Sequence, residues 1–386
     1  MNKSGDFEIF LVAAPGLEAV LYAEVKALRF KATKLVPGGV TVHGGWREVW
    51  RANLECRGAT RVLARIGEFR ALHLAQLDKR ARKFPWSDVL RRDVPVRVEV
   101  TCNGSRIYHS DAAAQRIETA IRAELGAPVT ADAKLCIKAR IEDDLCTISV
   151  DTSGESLHKR GHKEAIGKAP LRETLASMFL RQCGFDGSEP LVDPMCGSGT
   201  FVIEAAEIAA GLKPGRSRQF AFELLAGFDQ AAWHSMRDAG HGITPTAHFS
   251  GNDRDAGAIR MSRANAQRAG VAAFTTFEQR AISDIAPPAG PAGLVMVNPP
   301  YGSRIGDKKL LYGLYGALGQ TLLQRFPGWR VGLVTAERSL AMATGLPFAS
   351  PGPPVSHGGL GVYLYQTGPL AKHSASAEAT VNRSVL

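Results

Sequence analysis

The chain has 386 residues, of which 45% are hydrophobic and 22% are charged, a composition that excludes a disordered chain, a collagen and a small disulfide scaffold. At roughly 150 residues per domain, this length predicts two or three domains. Lysine and arginine together number 47 against 37 aspartate and glutamate residues, and the resulting net charge of +10 favours a polyanionic partner.

The cysteines and the apolar stretches indicate the cellular compartment of the protein. The six cysteines are scattered without a C-x-x-C spacing, so we expect reduced thiols in a cytosol and no structural metal. Asp6 and Glu8 precede the first short apolar run, which is not typical of a signal peptide. The long uncharged stretches 285–303 and 339–371 are broken by proline and glycine. We therefore expect a cytoplasmic protein without a membrane span.

Residues 1–60 predict a small α+β region. Residues 7–12 alternate weakly as a strand, and residues 17–28 carry apolar side chains at helical spacing. A Pro-Gly-Gly turn at 37–39 precedes a short strand over 40–42.

Residues 61–155 predict a second α+β region. Valines alternate with charged and polar residues over 94–101, which indicates a half-buried strand. A helix is predicted over 110–125, and two short strands at 137–141 and 146–150 suit a hairpin.

Charge is unevenly distributed along the chain. Lysine and arginine exceed aspartate and glutamate by 28 to 21 over positions 1–170, but only by 19 to 16 over positions 171–386. We expect the more basic part, 1–170, to provide the docking surface and the rest to provide the chemistry. Residues 156–170 are polar, basic and glycine-containing, which predicts a linker.

Residues 171–371 alternate strands and helices, which is typical of a doubly wound, Rossmann-like α/β domain. Residues 372–386 show no periodicity and are predicted to form a flexible tail. Strands are predicted at 190–193, 247–251, 273–277, 293–297, 330–335 and 359–365, and helices at 199–210, 255–269 and 310–325.

A glycine-containing loop links the first predicted strand and helix of this domain. Its two glycines, Gly197 and Gly199, allow close approach of the backbone to a ligand at a helix N-terminus. Val202 stands where a dinucleotide fingerprint requires glycine. Asp193 suits a ligand with an ammonium or hydroxyl groups, and S-adenosylmethionine has both; a plain glycine turn is the alternative. The candidate cofactor residues here are Asp193, Pro194, Cys196, Gly197, Ser198, Gly199 and Thr200.

Further acidic residues follow the next two strands. Asp253, with Arg254 beside it, is a candidate for the ribose hydroxyls, and Asp284 is a candidate for an adenine amino group. Each has a structural alternative, since Asp255 could cap a helix and Asp284 could be a solvated loop residue. The separation of Gly199 from Asp253 is much longer than the roughly 20 residues of a dinucleotide fingerprint, which predicts an insertion over 211–246.

The sequence Asn298-Pro299-Pro300-Tyr301 follows a hydrophobic strand, and we refer to it as the tetrad. The prolines restrict φ and place the Asn298 side chain and the Pro299 carbonyl at the carboxyl edge of the sheet. Both are hydrogen-bond acceptors that could hold the hydrogens of an exocyclic amino group. Tyr301 could stack on a flipped base. All four residues are candidate catalytic residues, and the alternative is a proline-rich turn.

Two basic segments are ambiguous. Residues 79–86 mix cations with aromatic residues and could bind single-stranded nucleic acid, or could form a solvated helix face. Residues 158–163 could follow an RNA backbone or serve as a linker. His158 and His162 are four residues apart but lack a third candidate ligand, so we expect no metal site.

Taken together, these motifs resemble the THUMP-containing ribosomal RNA guanine-N2 methyltransferases. The matching segments are 151–162 and 169–173 at the junction, the loop LVDPMCGSGT, the sequence GNDRD and the sequence VNPPYG. The resemblance implies a ferredoxin-like region at 1–60, a THUMP RNA-binding domain at 61–155 and a class I methyltransferase domain at 171–371. The sequence departs from the family pattern at His162, at Ser303 and at residues 357–359.

The resemblance also implies roles for the candidate residues. Asp193, Gly197, Gly199, Asp253 and Asp284 would contact S-adenosylmethionine, and the tetrad would be catalytic. The expected enzyme is a monomer that methylates guanine N2 in RNA, with 23S rRNA as substrate. The alternatives are a tRNA guanine-N2 enzyme, a DNA N6-adenine methyltransferase and a non-catalytic RNA-binding assembly factor.

Overall fold

The computed structural model describes residues 5–164, 171–240, 242–302 and 308–371. The chain divides into two units. The N-terminal unit comprises Met1–Gly161 and Lys213–His241, and the C-terminal unit comprises His162–Leu212 and Gly242–Leu386. The predicted tail at 372–386, the end of the predicted linker at 165–170 and Ser303 lie outside the described residues.

The N-terminal unit contains a seven-stranded sheet flanked by helices. Its helices before the linker are α1 (Glu18–Ala27), α2 (Trp46–Glu55), α3 (Leu74–Arg82) and α4 (Ser110–Glu124). Its strands are β1 (Phe7–Val12), β2 (Lys34–Val36), β3 (Gly39–Gly44), β4 (Arg61–Arg70), β5 (Val96–Asn103), β6 (Leu135–Glu142) and β7 (Leu145–Asp151). They lie in the order β2-β3-β1-β4-β7-β6-β5.

One sheet therefore spans the two α+β regions that the sequence analysis separated at residue 60. Strand β4 pairs antiparallel with β1 on one side and with β7 on the other. Val62 and Ala64 alternate along β4 and are fully buried. This period of two is the pattern of a strand with one face on the core, and it connects both regions through a continuous ladder.

The C-terminal unit contains a second seven-stranded sheet. Its helices are α5 (Glu173–Gln182), α6 (Thr200–Ala209), α8 (Ala256–Ala269), α9 (Lys308–Arg325) and α10 (Arg338–Ala343). Its strands are β8 (Leu191–Asp193), β9 (Phe249–Asp253), β10 (Thr275–Gln279), β11 (Leu294–Val297), β12 (Arg330–Thr335), β13 (Val355–His357) and β14 (Leu360–Gln366).

The order β10-β9-β8-β11-β12-β14-β13 confirms the predicted doubly wound α/β class. The first five of these strands are parallel, and β14 and β13 add antiparallel pairings at one end. The chain order reverses between β8 and β11. In such sheets, ligands bind outside the carboxyl ends of the strands at this reversal. The glycine-containing loop at 193–200, here called the cofactor loop after its candidate role, follows β8, and the tetrad follows β11.

The predicted insertion is divided between the units. Residues 213–241, here called the inserted segment, group with the N-terminal unit rather than with the flanking elements α6 and β9. The inserted segment contains α7 (Gln230–Asp238). Phe222 and Trp233 lie almost fully buried in the core of the N-terminal unit, with ring centroids 4.9 Å apart, and Phe222 stacks on Trp50 of α2. Apolar burial explains this placement, because these aromatic rings fill the N-terminal core.

Candidate functional site

Asp193 ends β8 in a fully enclosed position. Its carboxylate accepts a hydrogen bond from the Met195 backbone N–H at 3.0 Å. Burial raises the pKa of Asp193 well above its usual range, and the nearby Asp253 carboxylate raises it further. Two carboxylates therefore meet at one sheet edge, and a ligand that brings positive charge or hydroxyl donors would relieve the cost of burying Asp193.

The loop after Asp193 presents its backbone at the carboxyl edge of the sheet, where a ligand would bind. Gly197 and Gly199 have φ values of 54° and 85°, which L side chains rarely adopt. A Cβ on Gly199 would lie 3.2 Å from Phe277 and Ser262, whereas a Cβ on Gly197 would meet open space. Gly199 is also the N-cap of α6, whose first N–H groups have no partner within the helix. This geometry leaves a backbone cradle at the sheet edge.

Hydrogen bonds from α8 hold the loop from behind. Ser262 Oγ donates to the Gly197 carbonyl at 2.8 Å, and Asn265 Nδ2 donates to the Ser198 carbonyl at 3.0 Å. Cys196 is buried, and burial raises the pKa of its thiol, so it remains a neutral packing residue under the loop. The Cys196 backbone N–H donates to the Asn252 carbonyl at 2.9 Å, and its carbonyl accepts from the Gly199 N–H at 2.7 Å, so both groups hold the shape of the loop.

Asp253 ends β9 and joins the cofactor loop. Its Oδ2 accepts from the Gly197 backbone N–H at 3.0 Å, and its Oδ1 accepts from the Asp255 N–H at 3.0 Å. Asp255 caps α8, since its side chain accepts from the Gly257 N–H at 2.7 Å. The structure thus separates the two acids: Asp253 lies in the site, and Asp255 is the helix cap.

The remaining cofactor candidates occupy different environments. Pro194 and Thr200 are buried at the two ends of the loop. Arg254 and Asp284 are exposed beyond the ends of β9 and β10, and Ser283 Oγ donates to Asp284 at 3.0 Å. The structure brings the loop residues and Asp253 together, whereas Arg254 and Asp284 lie at the rim of the same sheet edge.

The tetrad carries an unsatisfied acceptor. Strand β11 is completely buried, and Asn298 follows it directly. Within the described part of the chain, Asn298 Oδ1 is buried without a hydrogen-bond partner. Leaving a buried polar atom unpaired costs about 1–3 kcal/mol, so such an atom requires an explanation. A donor group on a bound molecule would supply the missing hydrogen bond.

The tetrad lies next to the cofactor loop because β11 and β8 are neighbouring parallel strands. Leu294 pairs with Leu191 and Val295 with Val192, so both strands end at the same edge. Neighbouring strands lie about 4.8 Å apart. Met195 of the loop and Tyr301 of the tetrad also pack on one hydrophobic cluster. Tyr301 is half-buried, and burial raises its pKa to about 12, so the phenol stays neutral.

Residues after β12 and on α9 support the tetrad. Tyr315 Oη lies 3.3 Å from both the Pro300 carbonyl oxygen and the Thr335 hydroxyl. Glu337 accepts a hydrogen bond from the Gly302 backbone N–H at 3.0 Å. Sequence analysis missed these residues, because polar residues on a helix and after a distant strand carry no local motif. Their adjacency arises from the parallel pairing of β11 with β12.

A buried lysine supports the start of α6. Lys163 Nζ donates to Thr200 Oγ1 at 2.9 Å and forms an ion pair with Glu173 at 3.0 Å. Both charged side chains are less than a tenth exposed. Sequence analysis assigned Lys163 only to a basic segment, since nothing in the local sequence indicates its distant partner.

Two general features concern metals and membranes. Among the described residues, no group of three or more His, Cys, Asp or Glu side chains is placed to hold a metal ion. In the same ranges, every helix is too short or too polar to traverse a lipid bilayer.

Comparison with family models matches both units. The RMKL-like methyltransferase domain model matches residues 160–349, and the RlmL ferredoxin-like domain model matches residues 8–63. A Synechocystis protein described as a candidate RNA methyltransferase is 33% identical over 362 residues, which cover 91% of this chain and 94% of that protein.

Solved structures show the same architecture. A Listeria monocytogenes protein, described as a predicted N6-adenine-specific DNA methylase, has a TM-score of 0.83 and 30% identity, with 94% of this chain and 97% of that chain covered. The protein SMU.472, a candidate methyltransferase in complex with SAH, has a TM-score of 0.83 and 26% identity, with 96% and 99% covered.

Proposed function

This chain belongs to the RlmL-like methyltransferase family, and we propose that it transfers a methyl group from S-adenosylmethionine to the exocyclic N2 of a guanine in RNA, with 23S rRNA as the substrate. The observation that carries the proposal is the buried, unpaired Asn298 Oδ1 beside the cofactor loop. An exocyclic amino group has two hydrogens to donate. One of them would supply the hydrogen bond that Asn298 Oδ1 lacks.

The cofactor of this family is S-adenosylmethionine, and the loop residues fit it. The compound supplies, when bound, a methyl group activated by a positively charged sulfonium. The buried Asp193 carboxylate provides charge complementary to its ammonium group, and Asp253 provides acceptors for the ribose hydroxyls. The backbone of Gly197 and Gly199 admits it closely. We assign Pro194, Cys196, Ser198, Thr200, Arg254 and Asp284 to the same site.

In the proposed chemistry, the tetrad acts by orienting the amino group. Asn298 Oδ1 and the Pro299 carbonyl accept its two hydrogens and so direct the nitrogen lone pair away from the ring. Tyr301 stacks on the flipped base and offsets part of the few kcal/mol that unstacking costs. Pro300 holds the turn. The nitrogen forms the new N–C bond as the sulfonium–methyl bond breaks, which leaves S-adenosylhomocysteine as the second product, and the nitrogen releases one proton to solvent. In-line positioning of this kind can contribute up to roughly 7–11 kcal/mol.

Two observations support RNA as the substrate. The Synechocystis relative is described as a candidate RNA methyltransferase. Positions 1–170, which resemble a ferredoxin-like region followed by a THUMP domain, carry 28 lysines and arginines against 21 aspartates and glutamates. This basic surplus suits an RNA backbone. We propose that the enzyme acts as a monomer in the cytoplasm.

A second candidate, N6-adenine methylation of DNA, is favoured by the description of the Listeria structure and by the tetrad, which suits either amino group. Nucleoside mass spectrometry of rRNA, tRNA and DNA from cells with and without the gene separates the candidates. Loss of N2-methylguanosine from 23S rRNA alone supports the proposal. Loss of N2-methylguanosine from tRNA would show that tRNA is the substrate. Loss of N6-methyladenine from DNA would overturn the assignment of guanine as the methylated base.

A further inference from the structure

Glu337 places a carboxylate beside the tetrad. Strands β11 and β12 run parallel, and Val297, the last residue of β11, pairs with Leu333 of β12. Glu337 therefore follows β12 at the same carboxyl edge of the sheet at which the tetrad follows β11. Its Oε1 accepts a hydrogen bond from the backbone N–H of Gly302, the residue after the tetrad, at 3.0 Å. This hydrogen bond fixes the carboxylate next to the tetrad.

The backbone of Glu337 is also fixed, because this residue is the N-cap of α10. Its N–H donates to Thr335 Oγ1 at 3.2 Å, and its carbonyl accepts from the Leu340 N–H at 3.2 Å and from the Ala341 N–H at 3.3 Å. Side-chain oxygens at an N-cap often accept from the first N–H groups of the helix. The Glu337 side chain makes no such hydrogen bond. The carboxylate is therefore directed toward the tetrad and not toward its own helix.

One oxygen of this carboxylate remains available. A carboxylate has two oxygens and only accepts hydrogen bonds. Among the residues that the structure describes, the Gly302 N–H is the one hydrogen-bond donor to Glu337, and no basic side chain pairs with it. Glu337 is partly exposed, so a bound molecule can reach it. Oε2 is therefore free to accept a hydrogen bond from a base that the tetrad holds.

The ring nitrogen next to the amino group distinguishes the two candidate bases. In guanine, N1 carries a hydrogen and is a donor, whereas in adenine N1 has a lone pair and is an acceptor. Because an ionised carboxylate only accepts, it binds this edge of guanine and repels that of adenine. Asn298 Oδ1 and the Pro299 carbonyl suit the amino group of either base. Enzymes read flipped bases through such hydrogen bonds to the Watson–Crick edge.

We propose that Glu337 selects guanine: its Oε2 accepts the N1–H of the base whose amino group the tetrad holds. The proposal rests on the proposed function, because it takes the methylated base to be one that the tetrad orients. Sites that hydrogen-bond an N–H of the substrate strongly reject an analogue that lacks it, since the acceptor is then left unpaired. Glu337 thus supplies a discrimination between bases that the tetrad lacks.

The test compares two transcripts of the RNA segment that carries the methylated guanine, located beforehand by mass spectrometry of wild-type reactions. One transcript has guanine at that position, and the other has 2-aminopurine, which keeps the amino group but has no hydrogen on N1. Glu337→Gln keeps an acceptor oxygen for the Gly302 N–H and replaces the other oxygen by an NH₂ donor. The value of kcat/KM is measured for both transcripts with the wild type and with this variant.

The matched control is Glu189→Gln. Glu189 accepts a hydrogen bond from Arg330 at the start of β12, so it lies at the opposite, amino edge of the same sheet. The control removes the same charge and should leave kcat/KM unchanged for both transcripts. Titration calorimetry with S-adenosylmethionine reports folding, and both variants should keep the Kd of the wild type.

We expect the preference of the wild type for guanine over 2-aminopurine to fall by about tenfold to a hundredfold in Glu337→Gln, the range for loss of a hydrogen bond to a charged group. If Glu337 only held Gly302, any change would affect both transcripts equally. An unchanged preference would therefore overturn the role of Glu337 and leave guanine methylation in place. A wild type that methylates no guanine in RNA would refute the proposed function, and this proposal with it.

Discussion

At the scale of single residues, the site combines an unpaired acceptor with a buried acid, and both are costly without a ligand. Asn298 Oδ1 lacks a partner among the described residues, and Asp193 carries a raised pKa. Perturbed pKa values cluster at functional sites, and a buried acceptor without a partner requires an explanation, such as a donor on a bound molecule. We therefore propose that bound molecules offset the unfavourable burial of both groups. The cofactor would contact Asp193, and the reacting base would contact Asn298.

The raised pKa of Asp193 predicts a pH-dependent stability. The folded state holds the Asp193 proton at pH values where the unfolded state has lost it, so the stability without cofactor falls as pH rises above about 4, the ordinary aspartate value. Asp193→Asn keeps the acceptor for the Met195 N–H but removes the charge. We expect it to raise the Tm of the free protein near pH 7 and to weaken S-adenosylmethionine binding.

Thermal melts of the wild type and of Asp193→Asn at several pH values, with titration calorimetry for the cofactor, check this prediction. The difference in Tm should shrink toward pH 4. A variant that binds the cofactor as tightly as the wild type would remove Asp193 from the site.

Tyr315 is a positioning residue for the tetrad. Tyr315→Phe keeps the buried ring but loses the hydroxyl that lies between the Pro300 carbonyl and Thr335. A hydrogen bond is worth about 1 kcal/mol, so we expect kcat to fall roughly fivefold with little change in KM. Steady-state kinetics measure the changes in kcat and in KM separately. A rise in KM at unchanged kcat would show that the hydroxyl supports substrate binding and not the orientation of the turn.

At the scale of elements, the inserted segment groups with the N-terminal unit, whereas the residues that flank it contact each other in the C-terminal unit. The Ile243 N–H donates to the Ala210 carbonyl at 3.0 Å, and a Cβ on Gly242 would lie 2.7 Å from the Leu212 side chain. The two ends of the insertion are therefore adjacent. A short linker can replace residues 213–241 without stretching the flanking chain.

This closure predicts the behaviour of two fragments. A fragment of residues 162–386 exposes Phe222 and Trp233, which are buried in the N-terminal core of the full chain, so we expect it to aggregate. The same fragment with a short glycine-serine linker in place of 213–241 should remain monomeric and bind S-adenosylmethionine. Size-exclusion chromatography and calorimetry compare them. If the fragment of residues 162–386 stayed monomeric, the assignment of Phe222 and Trp233 to the N-terminal core would be contradicted.

The sequence predicted the elements of the C-terminal sheet well, because buried parallel strands are continuous apolar runs and their helices have clear periodicity. It also located the loop at 193–200 and the tetrad, whose glycines and prolines are local signals. It did not predict that β4 joins the two N-terminal regions, nor that Trp233 belongs to the N-terminal core. Both depend on pairings between residues far apart in the chain, such as Trp233 with Phe222 and Trp50, for which local periodicity carries no signal.

At the scale of the whole molecule, the chain passes between the two units three times, at 161–162, 212–213 and 241–242. The inserted segment leaves the unit that carries the tetrad and packs Phe222 and Trp233 into the core of the other. We propose that the N-terminal unit contributes RNA binding, while the C-terminal unit binds the cofactor and the reacting base.

The most direct test of the central claim follows the label of a deuterated methyl group. The purified chain is incubated with deuterated S-adenosylmethionine and with 23S rRNA from cells that lack the gene, and the digested nucleosides are separated by mass spectrometry. Asn298→Ala serves as the matched variant, which should still bind the cofactor but should lose on the order of a hundredfold or more in rate, as when one preorganised hydrogen-bonding group is removed from an active site. We predict labelled N2-methylguanosine with the wild type and almost none with Asn298→Ala. Label in another nucleoside, or equal label with both proteins, would contradict the assignment.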